Sequence, residues 1–163
     1  AFSTFVSQNY GAKQTGRIQK GVRTAFWISA SFGGILSLLV CALAGPLMGL
    51  FVHGSEGAVI GEGVRYLRIE GAFYCLIGAL FLLYGLYRGL GKPGMSVVLT
   101  VVSLGVRVAL AYALSAVPGI GVAGIWWAVP IGWFLADALG LGYYVARRKT
   151  WMTSMAREMD PPA

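Results

Sequence analysis

Apolar residues fall in four long runs along the chain, each closed by charge, glycine or proline. No charged residue stands between Arg23 and His53, a longer interval than the roughly 20 apolar residues a membrane helix needs. This predicts a first complete span over 24–52. Trp27 near one end suits the headgroup region, and Pro46 near the other is a helix break that neighbouring groups can repair. A second helix is predicted over 58–90, with Glu62, Arg65, Arg68 and Glu70 in its first third and an apolar run from Gly71 onward. The third covers 93–117: Pro93 suits a first helical turn, Val117-Pro118-Gly119 ends it, and Arg107 stands in its middle. The fourth covers 122–146, holds Asp137 in its interior and stops at Arg147-Arg148-Lys149.

Residues 1–10 read as the last turns of a preceding membrane helix that Gly11 terminates. Between them and the first span, 11–23 reads as a basic loop, 53–57 as a short external loop and 147–163 as a tail. Nothing shows the strand alternation of an outer-membrane barrel. The pattern therefore predicts an all-α membrane protein with four complete transmembrane helices plus the end of an earlier one. The chain starts at Ala1, and its first 23 residues lack the charged head and apolar stretch of a secretory signal, so a fragment of a longer polypeptide is expected.

Composition sharpens this reading. Of the 163 residues 57% are hydrophobic and 12% charged, against about a quarter charged in ordinary soluble domains. Too few polar side chains remain to wet a globular surface, and disordered or collagen-like classes fail on the same count. The net charge of +7 then implies loops facing anionic phospholipid, and no nucleic-acid partner. Lys13, Arg17, Lys20, Arg23, Arg88, Lys92, Arg147, Arg148, Lys149 and Arg157 fall on one side when alternate connections are grouped, and only Arg65 and Arg68 on the other. The positive-inside rule makes the richer side, and the C-terminus, cytoplasmic.

In lipid, helices associate through close backbone approach at small residues. Gly33, Ser37, Cys41 and Gly45 form such a line, as do Gly71, Gly78 and Gly85, and Gly132, Ala136 and Gly140. The ionisable residues carry more chemistry, because a charge at bilayer depth costs at least about 2.5 to 3.5 kcal/mol unless it is paired or reaches water. Arg107 extends a stripe of Ser96, Thr100 and Ser103 whose spacing keeps all four on one face. Glu70 has Tyr66 one turn before it and Tyr74 one turn after it, so two phenols are expected to hydrogen-bond or shield its carboxylate. Asp137 follows Trp133 by four residues and precedes Tyr144 by seven. Three readings stay open for this set. Arg107 pairs with Asp137 or Glu70 as a structural ion pair, or one carboxylate accepts a proton or cation in a transport cycle, with Glu70 placed ahead of Asp137, or Glu70 snorkels to the outer interface near its helix start.

Enzymatic chemistry is poorly supplied. The one histidine, His53, stands in a glycine-rich loop without an orienting acid or a second ligand at metal spacing. Cys41 and Cys75 lie in apolar runs without CxxC spacing, so neither a metal site nor a disulfide framework is indicated, and no cofactor is expected.

The chain resembles the C-terminal half of bacterial multidrug and toxic compound extrusion (MATE) transporters over nearly its whole length. The likeness is carried by Ser3-Thr4-Phe5-Val6-Ser7-Gln8-Asn9-Tyr10-Gly11-Ala12-Lys13 followed by Arg17. It continues in Tyr66-Leu67-Arg68-Ile69 running on to Tyr87-Arg88-Gly89-Leu90-Gly91-Lys92-Pro93, and in Gly121-Val122-Ala123-Gly124-Ile125-Trp126. The resemblance implies a twelve-helix antiporter of two lobes that exports amphipathic cations in exchange for H⁺ or Na⁺. It would make residues 1–10 the end of helix eight and the four spans helices nine to twelve. Some members carry an acid deeper in helix ten, where this sequence has Leu76, Ile77 and Gly78, which leaves Glu70 as the substitute.

The expectation is a piece of a bacterial inner-membrane, cation-coupled efflux antiporter working by alternating access. Glu70, Asp137 and Arg107 are its candidate coupling residues, with Tyr66, Tyr74, Ser103, Thr100, Gln8 and Asn9 lining or supporting a cavity. Its partners would be the lipid bilayer, an N-terminal lobe of the same polypeptide and small amphipathic or cationic substrates. The alternatives are a lipid-linked oligosaccharide flippase of the same superfamily and a non-transporting membrane scaffold.

Overall fold

A computed structural model describes residues 1–51 and 57–157. His53 and the segment after Arg157, with Met159, Asp160, Pro161 and Pro162, lie outside the described residues. Six helices follow in order: α1 (Phe2–Gly11), α2 (Thr15–Phe51), α3 (Gly57–Gly71), α4 (Tyr74–Gly89), α5 (Pro93–Ser115) and α6 (Val122–Arg157). Among the described residues no strand occurs.

By length and composition α2, α5 and α6 each suffice to cross a membrane, and α3 and α4, bent by 46° at a short break, suffice together for a fourth span or a re-entrant loop. The helix expected over 58–90 is therefore broken at Ala72 and Phe73. Gly71 packs under Val40 of α2, and the Phe73 N–H bonds the Glu70 carbonyl at 3.2 Å, one residue short of helical register. The tightened turn delivers the Phe73 ring to Trp127 of α6, 5.8 Å between centroids. A glycine and an aromatic contact thus account for a kink that hydropathy does not register.

Two other stretches differ from the sequence reading. The basic segment 11–23, expected as a loop, is helical from Thr15, and α2 runs on through Pro46. Its 37 residues extend about 55 Å, well beyond a hydrocarbon core of about 30 Å, so the helix continues outside the apolar zone. Ile18 is buried and Val22 packs on the core, and these contacts hold the basic turns in helical form. Only Ala12, Lys13 and Gln14 make the turn after α1, with Lys13 taking the left-handed conformation (φ +54°) and its N–H bonded to the Tyr10 carbonyl at 3.0 Å. At the other end α6 does not stop at Ala146. It passes through Arg147-Arg148-Lys149 because Trp151 has somewhere to dock, 5.6 Å from the Tyr143 ring and 4.7 Å beneath the Lys92 ammonium.

The core is organised around α4, whose Leu80, Leu83, Leu86 and Tyr87 meet Val6 of α1, Leu99 of α5 and Trp133 and Ala136 of α6. The buried Tyr87 hydroxyl donates to the Gly140 carbonyl at 2.5 Å, tying α4 to α6 where no water could serve as partner. Small residues set the helix spacing. A Cβ on Gly33 would stand 2.8 Å from Cys75 Cα, one on Gly132 2.8 Å from the Ser103 carbonyl, and one on Gly140 2.7 Å from Leu83. Gly45, expected on the same contact line as Gly33, meets nothing within 4 Å. The outer faces of α2 and α5 present Phe32, Leu38, Val101 and Tyr112 outward, as suits surfaces bathed by acyl chains or covered by another part of the protein.

Gly33→Leu should lower thermal stability in detergent by about 1 to 3 kcal/mol, the usual cost of overpacking. Gly45→Leu, with nothing within 4 Å, should leave the melting curve unchanged. Equal melting of the two variants would show that α2 and α4 do not approach as closely as described.

Candidate functional site

Helical spacing on α6 brings Phe134, Asp137, Ala138 and Leu141 onto one face, and that face walls a cavity of about 280 Å³. Phe26, Ser29 and Ala30 of α2 and Cys75, Leu76 and Ala79 of α4 supply the remaining walls. Alanine, serine and cysteine among its walls leave space that larger side chains would fill. Asp137 is its one ionisable carboxylate. The side chain is only 4% exposed, and neither carboxylate oxygen has a hydrogen-bond partner.

Arg107 stands elsewhere. On α5 its Nη2 donates to the Ser103 hydroxyl at 3.4 Å, and the guanidinium lies over the Trp133 ring at 5.4 Å. Gly132, lacking a side chain, makes room for the arginine stem on the α5–α6 seam. The Nε is buried without a partner. The ion pair with Asp137 that the sequence left open is therefore not formed. Trp133 holds the cation one helical turn earlier on α6, whereas Asp137 turns toward α2 and α4.

The rest of the polar stripe on α5 is partly buried. Ser96 donates to the Tyr84 carbonyl at 3.4 Å and Ser103 is enclosed. Thr100 is exposed at the rim, with its hydroxyl 3.0 Å from the Ser96 carbonyl and 3.3 Å from the Tyr84 hydroxyl.

Glu70 has a different setting from Asp137. It is half-buried at the end of α3, and the Tyr66 hydroxyl donates to its Oε2 at 3.0 Å. Tyr66 in turn packs edge-on against Trp126 of α6 at 5.9 Å. Tyr74 lies beyond the break at Ala72 and Phe73, on the first turn of α4, so the helical register expected to bracket the carboxylate with two phenols is interrupted. Gln8 and Asn9 close α1: the Gln8 carbonyl accepts the Ala12 N–H, and the Asn9 amide donates to the Phe5 carbonyl at 2.7 Å. The structure does not place these two on the cavity.

Sequence reasoning singled out Asp137 but missed its surroundings. The α6 stripe is legible as residues three, four and seven apart, yet nothing in the sequence says that Phe26, Ser29 and Cys75 face it. Cys41 and Cys75 are free thiols, and among the described residues no cluster of His, Cys, Asp and Glu could hold a metal.

Because Arg107 and Asp137 occupy separate environments, a double-mutant cycle on thermal stability with Arg107→Gln and Asp137→Asn should give a coupling below about 0.5 kcal/mol. A coupling well above this would restore the ion pair.

Comparison with known proteins gives the architecture a context. The family model MatE matches residues 1–113. The chain is 27% identical over 145 residues to the probable multidrug resistance protein YoeA of Bacillus subtilis (strain 168), a match covering 88% of this chain and 31% of the relative. It superposes with a TM-score of 0.86 on a solved inward-facing structure of a multidrug resistance MATE family transporter of the MOP superfamily, at 20% identity, covering 93% of this chain and 35% of that one. The chain thus spans about a third of the length of each relative. With the family model extending over more than two thirds of its residues, the chain belongs to the MATE family.

Proposed function

We propose that this chain is the C-terminal part of a MATE efflux antiporter of the bacterial inner membrane. It would export small amphipathic or cationic compounds by alternating access, together with an N-terminal lobe of the same polypeptide. Its family and its apolar helices support a multi-pass membrane transporter. YoeA and the solved relative are both named as multidrug resistance proteins, which favours efflux over lipid-linked oligosaccharide flipping. The concentration of cations at the start of α2, the α4–α5 turn and the end of α6 favours a cytoplasmic position for that end and for the C-terminus.

The observation that carries a coupling role is the partnerless carboxylate of Asp137. An unpaired charge in an apolar chamber is strongly penalised, so such a residue is retained where it binds and releases something that neutralises it. The chamber favours a proton over a sodium ion. A hard cation stripped of water needs several oxygen ligands, and here the walls offer this carboxylate and the Ser29 hydroxyl. A proton needs the carboxylate alone. Glu70, already hydrogen-bonded by Tyr66 and half-exposed, is the weaker candidate. Arg107, with Ser103 and Trp133 beneath it, supports the α5–α6 seam next to the chamber.

The test is dye transport by the full-length protein in liposomes. A pH gradient should drive movement of a cationic dye, and Asp137→Asn should reduce it to the level of protein-free vesicles while the variant still folds. Glu70→Gln should keep the rate within about twofold, as for a substitution worth about 0.5 kcal/mol. Loss of transport in Glu70→Gln with full activity in Asp137→Asn would reverse the assignment. Absence of movement under either a proton or a sodium gradient would remove the exporter reading itself.

A further inference from the structure

A second cavity of about 520 Å³ opens at the basic end of the bundle, between the first turns of α2 and the far ends of α4 and α6. Lys20 and Arg23 from α2 and Arg148 from α6 surround its mouth, with the Tyr144 hydroxyl beside Arg148. Its floor is apolar, built from Phe26, Leu83, Leu86 and Leu141. Helical geometry explains the convergence on α2, since residues three apart lie on one face. Lys20 and Arg23 therefore point toward the same groove that Arg148 reaches from the opposite wall.

Three like charges gathered in one groove repel one another unless an anion lies between them. Among the described residues none lines it: Glu62 and Glu70 are on α3, whose Gly63 and Gly71 pack against Met48 and Val40 of α2, at least about 25 Å along that helix from Arg23, and Asp137 is enclosed in its own chamber. The groove is not a closed bowl. Phe26 and Leu141 also line the apolar chamber above it, and both, with Leu83 and Leu86, line a third apolar pocket beside Phe2 and Leu82. The combined shape is a cationic mouth leading into a greasy slot between helices. Its level is that of Lys92 and Trp151, which form a cation–π contact where aromatic belts meet headgroups.

The geometry points to a binding site for an anionic phospholipid, its phosphate held by Lys20, Arg23 and Arg148 and an acyl chain laid along Phe26, Leu83 and Leu141. Charge complementarity selects the headgroup, and the continuity of the slot selects a lipid over a free anion. Basic pockets between membrane helices are suited to this class of ligand. The slot shares Phe26 and Leu141 with the chamber of Asp137, but the three cations stand outside that chamber, and the site does not depend on what the transporter exports.

The experiment uses the full-length transporter in detergent, with dioleoyl phosphatidylglycerol and dioleoyl phosphatidylcholine added in equal amounts and retained lipid read by native mass spectrometry. Phosphatidylglycerol should be retained in preference. The combined variant Lys20→Gln, Arg23→Gln and Arg148→Gln should lose that preference by roughly fivefold for each cation removed. A matched variant, Arg17→Gln, Arg147→Gln and Lys149→Gln, removes as many cations from positions that do not line the groove and should keep it. Leu141→Trp leaves every charge in place but fills the slot, and should weaken retention of phosphatidylglycerol. Inorganic phosphate should not displace the lipid. Equal loss in both charge variants would reduce the effect to diffuse surface attraction and overturn the proposal. Displacement by phosphate alone, indifference to Leu141→Trp, or crosslinking that places an upstream helix of the polypeptide in the slot would overturn it as well.

Discussion

Acyl chains offer no hydrogen bonds and no screening, so each polar group on a membrane helix must be met from within the protein or turned toward a wet space. That constraint orders this bundle. The Tyr87 hydroxyl is met by the Gly140 carbonyl, Ser96 by the Tyr84 carbonyl, and Tyr66 by the Glu70 carboxylate. Among the described residues the constraint is not met at the Ser37 hydroxyl, at the Arg107 Nε and at Asp137, and only Asp137 leaves both oxygens of a carboxylate without a partner. A carboxylate with no donor is a costly resident of such a place, and a small chamber lies beside it.

The position of that chamber follows from the central helix. Packing of α4 against α1, α2, α5 and α6 leaves α2 and α6 as walls facing one another across it, bridged by α4 as floor. Gly33 lets α2 settle onto the Cys75 backbone, which brings Ser29 and Phe26 to the level of Asp137. On the other side Gly132 admits the Arg107 stem beside Trp133, so the bundle's inward arginine is held on the α5–α6 seam and not beside the acid. Two absent side chains thus separate the opposite charges. Had both been larger, neither helix pair would have closed in this register.

Charge divides the molecule along its length. The apolar spans are interrupted by few ionisable groups, and the cations gather at one end, where Lys92 rests on Trp151 and where Lys20, Arg23 and Arg148 converge. Continuation of α2 and α6 as helices beyond the apolar zone matters here. Loops would have left these side chains dispersed, whereas helical turns fix their spacing and bring two elements distant in sequence to opposite walls of one groove.

Much of this was legible in the sequence, for identifiable reasons. The apolar runs mark the spans because the bilayer's thickness fixes their length, and the distribution of Lys and Arg marks the two ends because charge avoids hydrocarbon. Asp137 and Arg107 could be named because ionisable groups are rare in such helices. Their relation could not be read from spacing. Whether an arginine on α5 reaches an acid on α6 depends on which rotamer Trp133 and Gly132 permit, a matter of a few ångströms across an interface. The bend at Ala72 and Phe73 was equally hidden, since it arises from Val40 pressing on Gly71 and from Trp127 receiving a ring, contacts between residues distant along the chain. Sequence alone determined which runs are apolar enough to lie in a membrane and where along the chain the charge gathers, because those follow from one-dimensional solvation. Only the tertiary structure decided which polar groups find partners, because pairing in a medium without water depends on the relative rotation and approach of whole helices.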